Sequence, residues 1–182
     1  MLKLNKKFYL SLGKGGIFMF KSIIALSLFS MTLMASEYMM AEKVIIKKST
    51  RMLYLSVGGE IYKKYHVSLG IMPKGAKEIE GDMRTPEGIY TLDYRQKSNL
   101  YNKSIHISYP NAKDKAKAKE LNASAGGMIM IHGTPSNWSL SPIGDWMPVL
   151  MDWTEGCIAL SNDDMEEVWN MTKNGTPVYI IP

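Results

Sequence analysis

The chain has 182 residues, a formal net charge of +5, and 46% apolar against 21% charged residues, the proportions of a globular protein rather than a disordered one. Lys3, Lys6, Lys7, Lys14 and Lys21 all precede the first apolar segment, so the remainder of the chain is near neutral and nucleic acid is not an expected partner. With the first forty or so residues set aside for targeting, about 140 remain, the size of one ordinary domain.

After Lys21 comes an apolar run from Ser22 to Met34, too short for a comfortable membrane span, which takes about 20 residues. It reads as the hydrophobic part of a secretory signal, and residues 1–41 are expected to be a signal peptide or signal anchor. Ala35 offers a cleavage position, but Leu33 two places before it fits the small-x-small pattern poorly, so an uncleaved anchor stays open. Met19 would give a more ordinary start than Met1. The expected destination is the periplasm, with membrane contact only through this segment.

From Lys43 the pattern turns to short β-rich pieces. Strands are predicted at Lys43–Lys47, Met52–Val57 and Ile61–Leu69, the last two joined across Gly58-Gly59 as a hairpin. Residues 70–88 form a long loop rich in Gly, Pro and charge, a kind of segment that is usually functional. Further strands are expected at Gly88–Tyr94, Ser104–Ser108, Gly127–Ile131 and Pro177–Ile181. A polar helix is expected around Asp114 to Leu121, where Lys113, Lys115, Lys117 and Lys119 alternate with Ala and Asp. A second helix over Asn162–Met171 has Ser161 or Asn162 as N-cap, acidic residues in its first turn, and Met165, Val168 and Trp169 as its buried stripe. The fold class is mainly β with a few helices.

An exported chain with one cysteine forms no internal disulfide, so Cys157 is unpaired. A buried structural thiol and a reactive one are both open on that count. His132 ends a strand-like run, and Cys157 sits on a turn after Gly156. Such a pair is the minimum a thiol nucleophile requires, the base lowering the thiol pKa to give thiolate near neutral pH. Gly156 lets the backbone turn tightly and present successive N–H groups to a developing oxyanion. The three histidines, His66, His106 and His132, and one cysteine make no zinc spacing, and no metal or cofactor is expected. His66 and His106 lie in strand-like contexts. His106 would reach the site if its face is inward, and otherwise both are structural.

His132-Gly133, followed by Thr154-x-Gly156-Cys157-Ile158, resembles the signature of the L,D-transpeptidase family, in which a His-Gly segment precedes Ser/Thr-His-Gly-Cys. Gly81-Asp-Met-Arg-Thr-Pro-Glu-Gly-Ile-Tyr90 is similar to a block of that family's Gram-negative members, and Val67-Ser-Leu-Gly70 and Gly75-x-Lys77 fit the same pattern. The resemblance covers roughly residues 43 to 182 and implies a catalytic domain with β-sandwich-like mixed sheets. It further implies that Cys157 attacks the L,D bond between the third and fourth residues of a peptidoglycan stem peptide, in crosslinking or remodelling of the cell wall. His132 would be general base and then acid, the Gly133 carbonyl would orient it, and the N–H groups of Gly156 and Cys157 would bind the oxyanion. Trimming of tetrapeptide to tripeptide, or detachment of a wall-linked protein, would share the same thioester; a non-enzymatic module that only binds peptidoglycan is the remaining alternative, and the presence of both His132 and Cys157 argues against it.

Glu155 stands where the signature has its second His, and Ala159 where an Arg commonly follows. If that Arg holds a substrate carboxylate, Arg84 is the substitute expected here; the alternative is that Arg84 organises its loop through Asp82 or Glu87. Trp138, Trp146 and Trp153 flank the segment between His132 and Cys157 as candidate groove walls or as core, with Trp153 and Thr154 the nearest candidates for substrate contact. Core packing suits Trp169.

Overall fold

The computed structural model describes residues 39–140 and 150–182. The expected signal segment and Trp146 lie outside these residues, and among those described no helix is long and apolar enough to cross a membrane. Strands β1 (Lys43–Lys47), β2 (Met52–Val57) and β3 (Glu60–His66) form an antiparallel meander. Alternation decides their faces: Val44, Ile46, Leu53 and Leu55 are wholly buried, while residues between them look outward. Gly58 and Gly59 turn the β2–β3 hairpin in the left-handed region, at φ 58° and 85°, which glycine enters without a Cβ clash.

The pivot of the fold is the long strand β4 (Gly88–Ser98). Its first part, Gly88 to Thr91, pairs antiparallel with β8 (Pro177–Ile181), and β8 in turn runs parallel to β1. Its second part pairs with β5 (Asn102–Ile107), after an irregularity between Leu92 and Arg95. An irregularity of this kind bends a strand and increases its twist. The sheet is handed on through β5 to β6 (Met130–His132) and then β7 (Ile158–Ala159), giving the order β3-β2-β1-β8-β4-β5-β6-β7. The segment after β3 meets the far edge, where Ser68 bridges Ala159 and Gly70 bridges Thr154. The sheet is therefore curled almost onto itself.

One apolar cluster fills the curl, drawing Val44, Leu53, Leu92, Ile105, Ile131 and Ile158 from the sheet. Helix α2 (Asn162–Met171) adds Met165, Val168 and Met171. Each such side chain contributes about 1.5–3 kcal/mol on burial. Ser161 caps α2 by accepting from Asp164 N–H, and Trp169 packs partly buried against the cluster. Helix α1 (Ala112–Glu120) carries a reciprocal capping box between Asn111 and Asp114 and buries only Ala118, so it is a polar surface helix.

The fold is thus mostly β, a curled mixed sheet with helices, as the sequence predicts. Strands β1, β2 and β8 and helix α2 occupy the predicted residues. β4 runs past Tyr94 to Ser98, and β6 is Met130–His132 rather than 127–131. Gly126 and Met128 have φ of 71° and 56°, a conformation that takes the chain out of pairing geometry just before β6. The two-residue β7 is too short to leave a periodic signal.

Candidate active site

Strands β6 and β7 run parallel, with Ile131 opposite Ile158 and His132 opposite Ala159. Ile131 and Ile158 have no exposed surface and face the core, so by alternation His132 faces the other side. Cys157, one step before β7, stands level with Met130 and projects from that same outer face. The thiol and the imidazole thus lie on the same face of adjacent strands, two register positions apart.

His132 is buried, with 4% of its surface exposed. Its Nδ1 lies 2.7 Å from the carbonyl oxygen of Gly133. A carbonyl only accepts, so Nδ1–H is the donor and Nε2 keeps its lone pair. Tyr101 packs on one side of the ring at 4.4 Å between centroids, and Trp153 meets it edge-on at 5.7 Å. Trp138 backs Trp153 at 4.8 Å. Burial pushes the imidazole pKa down and the Gly133 carbonyl only partly offsets it, so the ring is uncharged at neutral pH. A Cβ on Gly133 would strike Asn162 Oδ1, whose Nδ2 donates to Thr134 Oγ1 at 2.8 Å.

Cys157 is half-buried and unpaired, its Sγ 3.6 Å from the Met128 carbonyl. Burial pushes the thiol pKa up; the Met130 N–H and Lys77 pull it down, and Glu155 adds to the rise. The sequence expectation of a thiolate near neutral pH is therefore corrected. The resting pair is a neutral thiol beside a neutral imidazole, because both groups are desolvated.

The turn before Cys157 is built by its own residues. Gly156 has φ +134°, and a Cβ there would lie 2.6 Å from the carbonyl of Arg84, so the position admits glycine alone. Its N–H donates to Thr154 Oγ1 at 3.1 Å, and that hydroxyl donates to the Cys157 carbonyl at 2.8 Å. Thr154 is buried and shapes the turn instead of facing a groove, which corrects its expected substrate contact. The Gly156 N–H, expected to face an oxyanion, is donated inside the turn in this state. Arg51 and Asp152 brace the turn from behind through Nε and Nη2 contacts of 2.7–3.0 Å, and Asp152 Oδ1 also accepts from Leu69 N–H at 2.9 Å.

A cavity of about 220 Å³ opens beside Cys157, lined by Lys77, Glu80, Glu155 and residues 126–129. Arg84 does not line it; its guanidinium lies 3.6 Å from the Cβ position of Gly75, and its N–H donates to Asp82 Oδ1 at 3.1 Å. Asp82 also accepts from Lys77 Nζ at 2.9 Å and from the N–H groups of Glu78 and Ile79. The cation beside the thiol is Lys77, and the backbone of Arg84 supports the turn from below.

A model of the L,D-transpeptidase catalytic domain matches residues 41–180. The chain belongs to the L,D-transpeptidase catalytic-domain family. It is 29% identical over 134 residues to YafK of Escherichia coli K12, a protein named for that family, covering 70% of this chain and 44% of YafK. Among solved structures it is similar to the helical cell shape determining protein Pgp2 of Campylobacter jejuni, at TM-score 0.55 and 27% identity, over 75% of this chain and 46% of Pgp2. Bd1075 of Bdellovibrio bacteriovorus gives a TM-score of 0.51 at 25% identity, over 79% of this chain and 51% of that one. The chain spans less than half the length of YafK and Pgp2.

Against this family's signature, Glu155 in place of the second His is an exposed side chain at the mouth of the Cys157 cavity, and Ala159 is buried. Of the other histidines, His106 lies on the same sheet face as His132, opposite Met130. Its Nδ1 is 2.7 Å from Asp93 Oδ1 and its ring stacks on Tyr94 at 4.5 Å, so it is a satisfied structural group. His66 is exposed on β3. Trp153 stands as the wall beside His132, and Trp169 packs under Arg95 and Lys103 at 5.0 and 5.4 Å. Tyr101 and Lys77 join the site without a role that the sequence assigns them. Tyr101 is far from His132 along the chain and gives no local signal; Lys77 is visible only as part of the Gly75-x-Lys77 pattern.

Proposed function

We propose that this domain is a cysteine acyltransferase of the periplasmic cell wall, cutting the L,D bond between the third and fourth residues of stem tetrapeptides through a thioester on Cys157. The observation that carries the reading is the pairing of a half-buried thiol with an imidazole on the same sheet face, whose Nδ1 is engaged by Gly133 and whose Nε2 is left as acceptor.

The steps follow from the resting charges. Sγ attacks the carbonyl carbon while Nε2 of His132 takes its proton, since a free thiolate is disfavoured in this burial. The Cys157 N–H meets the developing oxyanion; the Gly156 N–H joins only if Thr154 yields it. Protonated His132 then gives its proton to the amine of the departing D-alanine, the C–N bond breaks, and the thioester remains. An amine of a second stem peptide attacks the thioester, His132 takes the proton of that amine, and the thiol is restored. The aromatic wall of Tyr101, Trp153 and Trp138 favours a positioned acceptor over water, since proximity supplies effective molarities of about 10⁵ M or more. Glu155 favours a second reading, hydrolysis to tripeptide, because an exposed carboxylate beside the thioester is placed to orient water.

Incubation of the protein with purified tetrapeptide muropeptides tests both. Transfer yields dimers joined between third residues plus D-alanine. Tripeptide as the only product, at saturating acceptor, would replace transfer with hydrolysis; an unconsumed substrate would sink the function. Cys157→Ala is expected to abolish turnover at an unchanged melting temperature, and His132→Ala to slow acylation by about 10²- to 10⁴-fold.

A further inference from the structure

The sheet face that carries Cys157 and His132 continues across β6 to an aromatic pair on β5 and β4. Cys157 stands level with Met130, and Met130 pairs with His106. Met130 is buried yet lies outside the core cluster, so this row belongs to the outer face. At its end the His106 ring stacks on Tyr94 at 4.5 Å with 13° between planes. Asp93 Oδ1 fixes both, meeting His106 Nδ1 at 2.7 Å and accepting from the Tyr94 N–H at 2.9 Å. The Tyr94 hydroxyl reaches Met128 Sδ at 3.6 Å. Tyr94 is thus held at one ring face, at its backbone and at its hydroxyl, yet keeps 38% of its surface exposed. A ring pinned in this way has already lost the freedom that binding would otherwise take from it. Met128, 61% exposed, bridges the ring to the thiol, its own carbonyl 3.6 Å from Sγ.

We propose that Tyr94, backed by His106 and flanked by Met128, is a platform on which the sugar bearing the donor stem peptide stacks. The assignment rests on the acyl-transfer reading above and extends it from the peptide to the glycan. A pyranose has a face of C–H bonds, weakly positive, that matches the negative face of an aromatic ring. Asp93, with one oxygen engaged, keeps the other for a hydroxyl or amide N–H at the rim of the sugar. Reach decides the occupant. Two strand spacings separate the row positions of Cys157 and His106, about 10 Å in all. In a stem peptide two residues stand between the lactyl group of the sugar and the third residue, whose carbonyl becomes the thioester. Extended, these two span about 7 Å, and the lactyl group covers the rest.

Disaccharide-tetrapeptide and the same tetrapeptide freed of its sugars separate the glycan from the peptide. D-Alanine release in a single turnover without acceptor reads the donor alone. Wild type is expected to favour the sugar-bearing form by about 3- to 10-fold at subsaturating substrate, the scale of one aromatic stacking contact, with the two rates converging at saturation. Tyr94→Ala should erase this preference, while Tyr94→Phe, which keeps the ring, should retain it. Each ratio is taken within one variant, so a partly unfolded preparation leaves it unchanged. A wild type that does not favour the sugar-bearing form, a preference that survives Tyr94→Ala, or one lost equally in Tyr94→Phe would overturn the platform and leave acyl transfer standing. No release of D-alanine from either substrate would overturn the acyl-transfer reading and the platform together.

Discussion

His132 and Cys157 are both buried enough to lose their charges, and this sets how the thiol reacts. Burial, helped by Glu155, holds the thiol above its ordinary value, so at neutral pH little thiolate stands ready and deprotonation must accompany attack. Alkylation of Cys157 by iodoacetamide is therefore expected to accelerate with pH on a limb above the ordinary thiol range. Glu155→Gln removes a negative charge that opposes the thiolate, so the limb should move to lower pH. Rates measured across pH on both proteins check this, and coincident limbs would mean the thiol does not feel the Glu155 carboxylate.

The turn from Thr154 to Cys157 shows how one short element holds the proposed nucleophile. Thr154 Oγ1 accepts from the Gly156 N–H and donates to the Cys157 carbonyl, tying the start of the turn to its end, while the Gly156 backbone rests against the Arg84 carbonyl. Any side chain at Gly156 meets both a closed space and a φ of +134°. Gly156→Ala is expected to cost about 1–3 kcal/mol in urea melts, and to slow alkylation and acylation of Cys157 further than the lost stability explains. A variant with wild-type reactivity would show that the turn tolerates another geometry. Immediately downstream of Cys157, β7 feeds into α2 through the Ser161 cap, so the thiol is followed at once by a short strand and a capped helix, both anchored in the core.

Across the domain, the long loop between β3 and β4 is held as firmly as a regular element. Lys48 reaches it from β1's end, donating to the carbonyls of Gly75 and Thr85 and pairing with Glu87 at 2.8 Å. Asp82 gathers the loop's N–H groups and Lys77. Burial pushes the Asp82 carboxyl up, but the Glu78 N–H, Lys77 and the N–H groups of Arg84 and Ile79 outweigh it and hold the pKa below its ordinary value. A depressed carboxyl stabilises the fold above its unfolded pKa, and that contribution is lost as pH falls through the folded value. Asp82→Asn should thus melt lower than wild type at neutral pH, with the gap closing on acidification below about pH 4. Parallel melting curves with a gap constant in pH would assign the loss to packing instead of charge.

Much was legible in the residues alone. Strands β1, β2 and β8, the Gly58-Gly59 hairpin and helix α2 follow from local alternation, turn residues and caps, which act over a few positions and are written in the chain. The pair of His132 and Cys157 was legible as a candidate base and nucleophile for a different reason: these are rare residue types in a chain with three histidines and one cysteine, and their motifs are compact. What the chain could not show is whatever depends on the curl of the sheet. The bend in β4 brings β5, β6 and β7 round to meet the segment after β3, and only that closure sets Lys77 beside the thiol while the guanidinium of Arg84 lies against Gly75. Tyr101 reaches His132 through the same folding of distant segments. The charge states went the same way, because a motif names the acid and the base, whereas desolvation by the surrounding walls decides that both rest uncharged.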